Sequence, residues 1–146
     1  MNVNVEEYWA IFERTTAESL RRNTIIVFEA LSTAGITHVR VGFDGEGDQG
    51  QMERAAARMN GNAVEFPTVT VKLWESRYGS AELRTCELGL QEAVENLCYG
   101  CLEERYGGWE INEGSFGEFN LDVAARTIRL EHYGRFVETA YSSDTF

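Results

Sequence analysis

Three runs late in the sequence alternate apolar and polar residues: GEFNLDV (117–123), TIRLEHY (127–133) and RFVETAYS (135–142). A period of two sends successive side chains to opposite faces of a strand, so each run is half-buried β-structure. The runs lie too close together for the long crossovers that parallel neighbours need, which predicts an antiparallel meander of three strands. In the first run Glu118, Asn120 and Asp122 oppose Phe119, Leu121 and Val123, so one face of the sheet is polar. Arg129 and Glu131 on the next run, and Arg135 and Glu138 on the last, can continue a cross-strand ladder of opposite charges.

The preceding residues are mainly helical by pattern. Over 5–22, Tyr8, Ile11, Phe12, Thr15 and Ser19 share one face, and Arg21 and Arg22 suit the negative end of the helix dipole. Asn23 is placed to cap a second, largely apolar helix that Gly35 closes. ITHVRVGF (36–43) is a strand, whereas DGEGDQG (44–50) has too many glycines for regular structure. QMERAAARM (51–59) is a short helix candidate ended by Asn60-Gly61, and PTVTVKLWE (67–75) is a second strand. Residues 80–105 form a long helix by their stripe of Leu83, Cys86, Leu90, Val94, Leu97 and Cys101.

Helices grouped early and strands grouped late predict an α+β fold, one domain over residues 1–146. Its N-terminal helices and one long central helix would pack on a mainly antiparallel sheet that ends in the meander. With 146 residues, 43% of them apolar, the chain can bury a core without disulfides or metal.

The net charge of −11 makes the chain a poor candidate for direct nucleic-acid binding, which rewards a basic face, and does not suit anionic membranes. No apolar run is long enough to cross a bilayer, and the first residues carry glutamates where a signal peptide has positive charge, so a cytoplasmic location is expected. The three cysteines are then free thiols. Cys98 and Cys101 form a CxxC, but late in a helix and on its apolar stripe, which makes them core residues. His38 and His132 lie on strands, with no nucleophile elbow to serve. There is no phosphate loop and no dinucleotide fingerprint, so no cofactor is implied.

Two loops and one helix face remain as candidate sites. In Phe43–Gly50 the carboxylates of Asp44, Glu46 and Asp48 could converge on a hard cation. An EF-hand is excluded, because Gln49 and Ala55 stand where its glycine and glutamate belong. The loop is a structural turn whose Asp48 caps the helix near Gln51, a partner-binding loop, or a metal site. In residues 107–115, Trp109 is either a lid on the core or an exposed anchor, and Glu110 and Glu113 would join Asp44 and Asp48 if the loops share a sheet edge. On the long helix Glu82, Glu92, Glu95, Glu103 and Glu104 fall opposite the apolar stripe, with Glu87 alone on the apolar side.

The runs GITHVRVGFDGEGDQGQME and GGWEINEGSFGEFNLDVAARTIRLEHYGRFVET resemble a family of small acidic bacterial proteins classified only as a domain of unknown function. The shared motifs are FDGxGDxGQ and GWExNxGxxGxF. The resemblance directs attention to Phe43, Asp44, Gly45, Gly47, Asp48, Gly50 and Gln51, and to Trp109, Glu110, Gly114 and Phe116. It implies a setting near mobile-element genes and no known activity. The expected function is a small acidic, non-catalytic binding protein. It could serve as a mobile-element inhibitor of a basic, nucleic-acid-binding complex such as a CRISPR effector. The competing expectation is a metal-binding module or metal-dependent hydrolase using Asp44, Glu46 and Asp48.

Overall fold

Strand β1 (His38–Glu46) is the spine of the molecule, because it pairs along both of its edges. The computed structural model describes residues 5–47, 49–111 and 113–146. Around β1 the chain supplies β2 (Gln49–Met52), β3 (Ala56–Met59), β4 (Asn62–Val64), β7 (Ser115–Asp122) and β8 (Thr127–Gly134). They form an antiparallel sheet of order β4-β3-β1-β7-β8, with β2 also paired to β1 beyond the end of β3. A separate two-stranded sheet joins β5 (Thr70–Glu75) to β6 (Arg84–Gly89). The helices are α1 (Val5–Thr33) and α2 (Leu90–Arg105).

One face of the large sheet is apolar. Val39, Val41 and Phe43 of β1 and Phe119 and Leu121 of β7 are buried in a single core with Val27, Phe28 and Leu31 of α1 and Leu90, Val94, Leu97 and Leu102 of α2. The alternate residues His38, Arg40, Asp44, Glu118, Asn120 and Asp122 occupy the other, polar face, where Arg40 pairs with Glu118. The α+β class and the polar face of the GEFNLDV run are therefore observed.

Several boundaries differ from the sequence expectation, each for a physical reason. Residues 5–33 are one helix, not two. Asn23 is buried within it, and its side chain donates to the Trp74 carbonyl (2.8 Å) and accepts from the Trp74 N–H (2.7 Å). A tertiary partner thus replaces the capping role. Gly35, at φ +77°, does end α1: its N–H reaches Ser32 and that of Ile36 reaches Leu31, a Schellman closure.

Residues 51–59 form no helix: they hold the end of β2, a short connection and the whole of β3. Ala55 and Ala57 point into the core while Ala56 and Arg58 point out, and Asn60-Gly61 turns β3 into β4 with positive φ at both residues. The long helix is shorter than expected, because residues 84–89 pair with β5 and α2 begins only at Leu90. Its first exposed N–H is met by the Val69 carbonyl at 3.0 Å. Glu82 and Glu87 are therefore not on the helix. Glu87 lies on β6 and accepts a hydrogen bond from Thr70 (2.7 Å). Finally, the meander has two strands, since residues 135–146 form no strand.

Candidate functional site

The glycine-rich run after Phe43 is ordered. Asp44, Gly45 and Glu46 continue β1 and pair with Gln51, Gly50 and Gln49 of β2, so the expected irregular loop is a β-hairpin. Its connection contains Gly47 and Asp48, and Asp48 lies outside the described residues. Across this hairpin lies Trp109. A Cβ added to Gly45 or Gly50 would stand 2.6 or 2.7 Å from its ring, so the motif glycines are the space the indole fills. Trp109 is buried, edge-on to Phe43 at 5.5 Å, and its Nε1–H donates to Glu103 at 3.1 Å. Of the two alternatives for Trp109, the lid on the core is what the fold contains.

The two acidic loops therefore meet. Gly114, at φ +72°, lies so close to the Gly45 carbonyl that no side chain fits between them. Arg135 ties both sides together. Its guanidinium donates to the Asp44 carboxylate (2.9 Å) and the Gly45 carbonyl (2.9 Å) while stacking on Phe116. Sequence reading placed Arg135 only in a strand ladder. Nothing in its spacing announced that it would bridge positions ninety residues apart, which depends on the β1–β7 register.

The result is an acidic end of the molecule, where the hairpin that carries Asp44 and Glu46 meets the loop that carries Glu110 and Glu113, and Glu103 reaches it through Trp109. Glu104, next along α2, lines a cleft with Tyr106, Ile128 and Leu130. Asp44, Glu46, Glu104 and Glu113 are exposed. Glu110 has one carboxylate oxygen buried without a hydrogen-bond partner. Burial, followed by the carboxylates of Glu103 and Glu110, pushes the Tyr99 phenol above its ordinary pKa. Along α2, Glu92, Glu95, Tyr99 and Glu103 follow one another at spacings of three and four, so the acidic stripe persists on the shortened helix.

Glu82 belongs elsewhere. It lines a cleft of about 780 Å³ with Arg14, Glu18, Arg21, Arg22 and Trp74. There Glu18 accepts hydrogen bonds from Arg21 (2.7 Å) and Arg22 (2.8 Å), which hold its pKa down at about 2. The thiols are unsuited to nucleophilic work. Burial raises Cys98 above the ordinary range and Cys101 to about 11. His38 is exposed, 3.9 Å from Asp122. His132 stacks on Tyr106 at 3.7 Å, and burial lowers its pKa. Among the described residues no three His, Cys, Asp or Glu side chains are grouped to hold a metal ion, and Asp44 is already engaged by Arg135.

The model of a family of unknown function, DUF6878, matches residues 20–146. The chain belongs to that family. The DUF6878 match contains both loops, Trp109, Arg135 and all of α2, while the first half of α1 precedes it. No curated protein and no solved structure matches the chain significantly. Among the described residues, no helix of this DUF6878 member is long and apolar enough to cross a membrane.

Proposed function

We propose that the protein is a non-catalytic binding protein whose acidic end engages a basic surface on another protein. The observation that supports this reading is the meeting of the acidic hairpin (Asp44, Glu46) with the acidic loop before β7 (Glu110, Glu113) at Trp109, whose indole also holds Glu103 at the end of α2. These carboxylates stand on a hairpin, a helix end and a pinned loop, so binding would require little further ordering of the backbone. Facing charge of opposite sign steers encounter and sets orientation. A protein that binds nucleic acid presents such a basic surface, and this acidic end would compete with phosphates for it. In that form the protein acts as an inhibitor of a nucleic-acid-binding complex, of which a CRISPR effector is one kind. The mobile-element setting implied by the resemblance of its two loops fits that role.

A fluorescent octa-arginine peptide provides the first test, titrated at low and high salt. Reversing Glu46, Glu104 and Glu113 to arginine should weaken binding roughly tenfold, about 1.4 kcal/mol. Reversing Glu6, Glu13 and Glu65 changes net charge equally and should weaken it much less. Equal losses from both triple variants would show that only overall charge matters, and would sink the reading. Partners captured from host lysate should likewise be lost from the first variant and retained by the second.

A further inference from the structure

Strand β8 is an open edge of the large sheet. The Arg135 N–H still bonds the Gly114 carbonyl (3.0 Å), one step beyond the Ser115–Gly134 pair, so the ladder with β7 runs to residue 135. Alternation then turns the backbone groups of Ile128, Leu130, His132 and Gly134 away from β7, toward the open edge. The edge carries eight residues without a proline or lysine to blunt it.

Residues 135–142 have the alternation of a strand, yet beyond Arg135 they form no strand among the described residues. Phe136 is 82% exposed, Val137 69% and Tyr141 88%. The segment is poorly placed to return to its own β8. Gly134 and Arg135 are both held in the β7 ladder, so a reversal would have to be made by Phe136 and Val137, which do not suit a tight turn. The segment therefore stays exposed, an unpaired strand pattern directly following an unpaired strand edge.

We propose that two copies of this chain associate through β8, with residues 135–142 of each laid antiparallel on the β8 edge of the other. A two-fold axis at Arg135 satisfies the outward backbone groups of both copies and joins the two sheets into one. In that register Val137 lies opposite Tyr133 of the other copy, Tyr141 opposite Arg129, and Glu138 opposite His132. The first two are favourable cross-strand pairs. The two Arg135 side chains meet at the axis, where each is already neutralised by its own Asp44. The proposal does not depend on a basic partner for the acidic end.

Sedimentation of the full chain over rising concentration should show the mass climbing toward twice 16.5 kDa. Removing residues 136–146 should leave a folded monomer. A synthetic RFVETAYSSDTF peptide should then bind that shortened chain. In the full-length chain, Val137→Asp with Tyr141→Asp should weaken association at least tenfold. A full-length chain that stays monomeric, a dimer that survives the deletion or the double variant, or a shortened chain that ignores the peptide overturns the proposal.

Discussion

The hairpin at Asp44–Gly50 and the segment at 135–142 read in opposite ways from the sequence, and each folds against its reading. The first is rich in glycine and acid, the composition of a mobile loop, yet it is strand clamped beneath Trp109. The second alternates like a strand and carries Phe136, Val137 and Tyr141, yet it is exposed. The difference lies in where the partner is. The glycines have theirs within the chain, an indole that fits only where no Cβ stands. The alternating segment has lost access to its nearest edge, because β7 holds the chain straight through Arg135.

That contrast can be broken at several points. Trp109→Ala should cost about 4 kcal/mol of unfolding free energy, since it removes a large buried ring and empties the space between the loops. Equilibrium urea unfolding measures it, and a loss below about 1 kcal/mol would mean that the hairpin holds itself. Gly114→Ala should cost about 3 kcal/mol in the same assay, combining a positive φ with a clash against Gly45. Arg135→Ala should cost about 1 kcal/mol, because its carboxylate contact is partly solvated. It should also speed amide exchange at both Gly45 and Ser115, and faster exchange at only one would separate the loops. Deleting residues 136–146 should change monomer unfolding by less than about 0.5 kcal/mol.

Glu18 offers a control remote from both regions. Its folded pKa of about 2 lies below the ordinary 4.5, so its contribution is present above the ordinary value and fades as pH falls toward 2. A carboxyl titration followed by NMR should place its midpoint near 2, and Glu18→Gln should remove that transition without altering exchange at Gly45.

Much of the fold was legible where one period ruled alone. The alternation of Phe119 and Leu121 against Glu118 and Asn120 gave β7 its buried face, and Gly35 marked the end of α1. The failures came where a short pattern satisfied two periods. Leu83 and Cys86 happen to lie at helical spacing from Leu90, although residues 84–89 pair with β5. Ala55, Ala56 and Ala57 favour helix by propensity, but burial of alternate alanines and the Asn60-Gly61 turn made strand the outcome. At the acidic end, carboxylates and tryptophan were both identifiable from composition. Their meeting was not, because it depends on β1 pairing with β7 across more than seventy residues.

Asn23 gives the long N-terminal helix something its apolar contacts cannot. Apolar side chains packed along a helix tolerate displacement by a turn, since one ridge resembles the next. The Asn23 amide grips both backbone polar groups of Trp74, and one residue's N–H and C=O can be met together by a side chain at only one height and one rotation. The residue thus acts as a detent. Replaced by leucine, α1 should remain helical and attached while sampling more than one axial setting, seen as doubled resonances for Trp74.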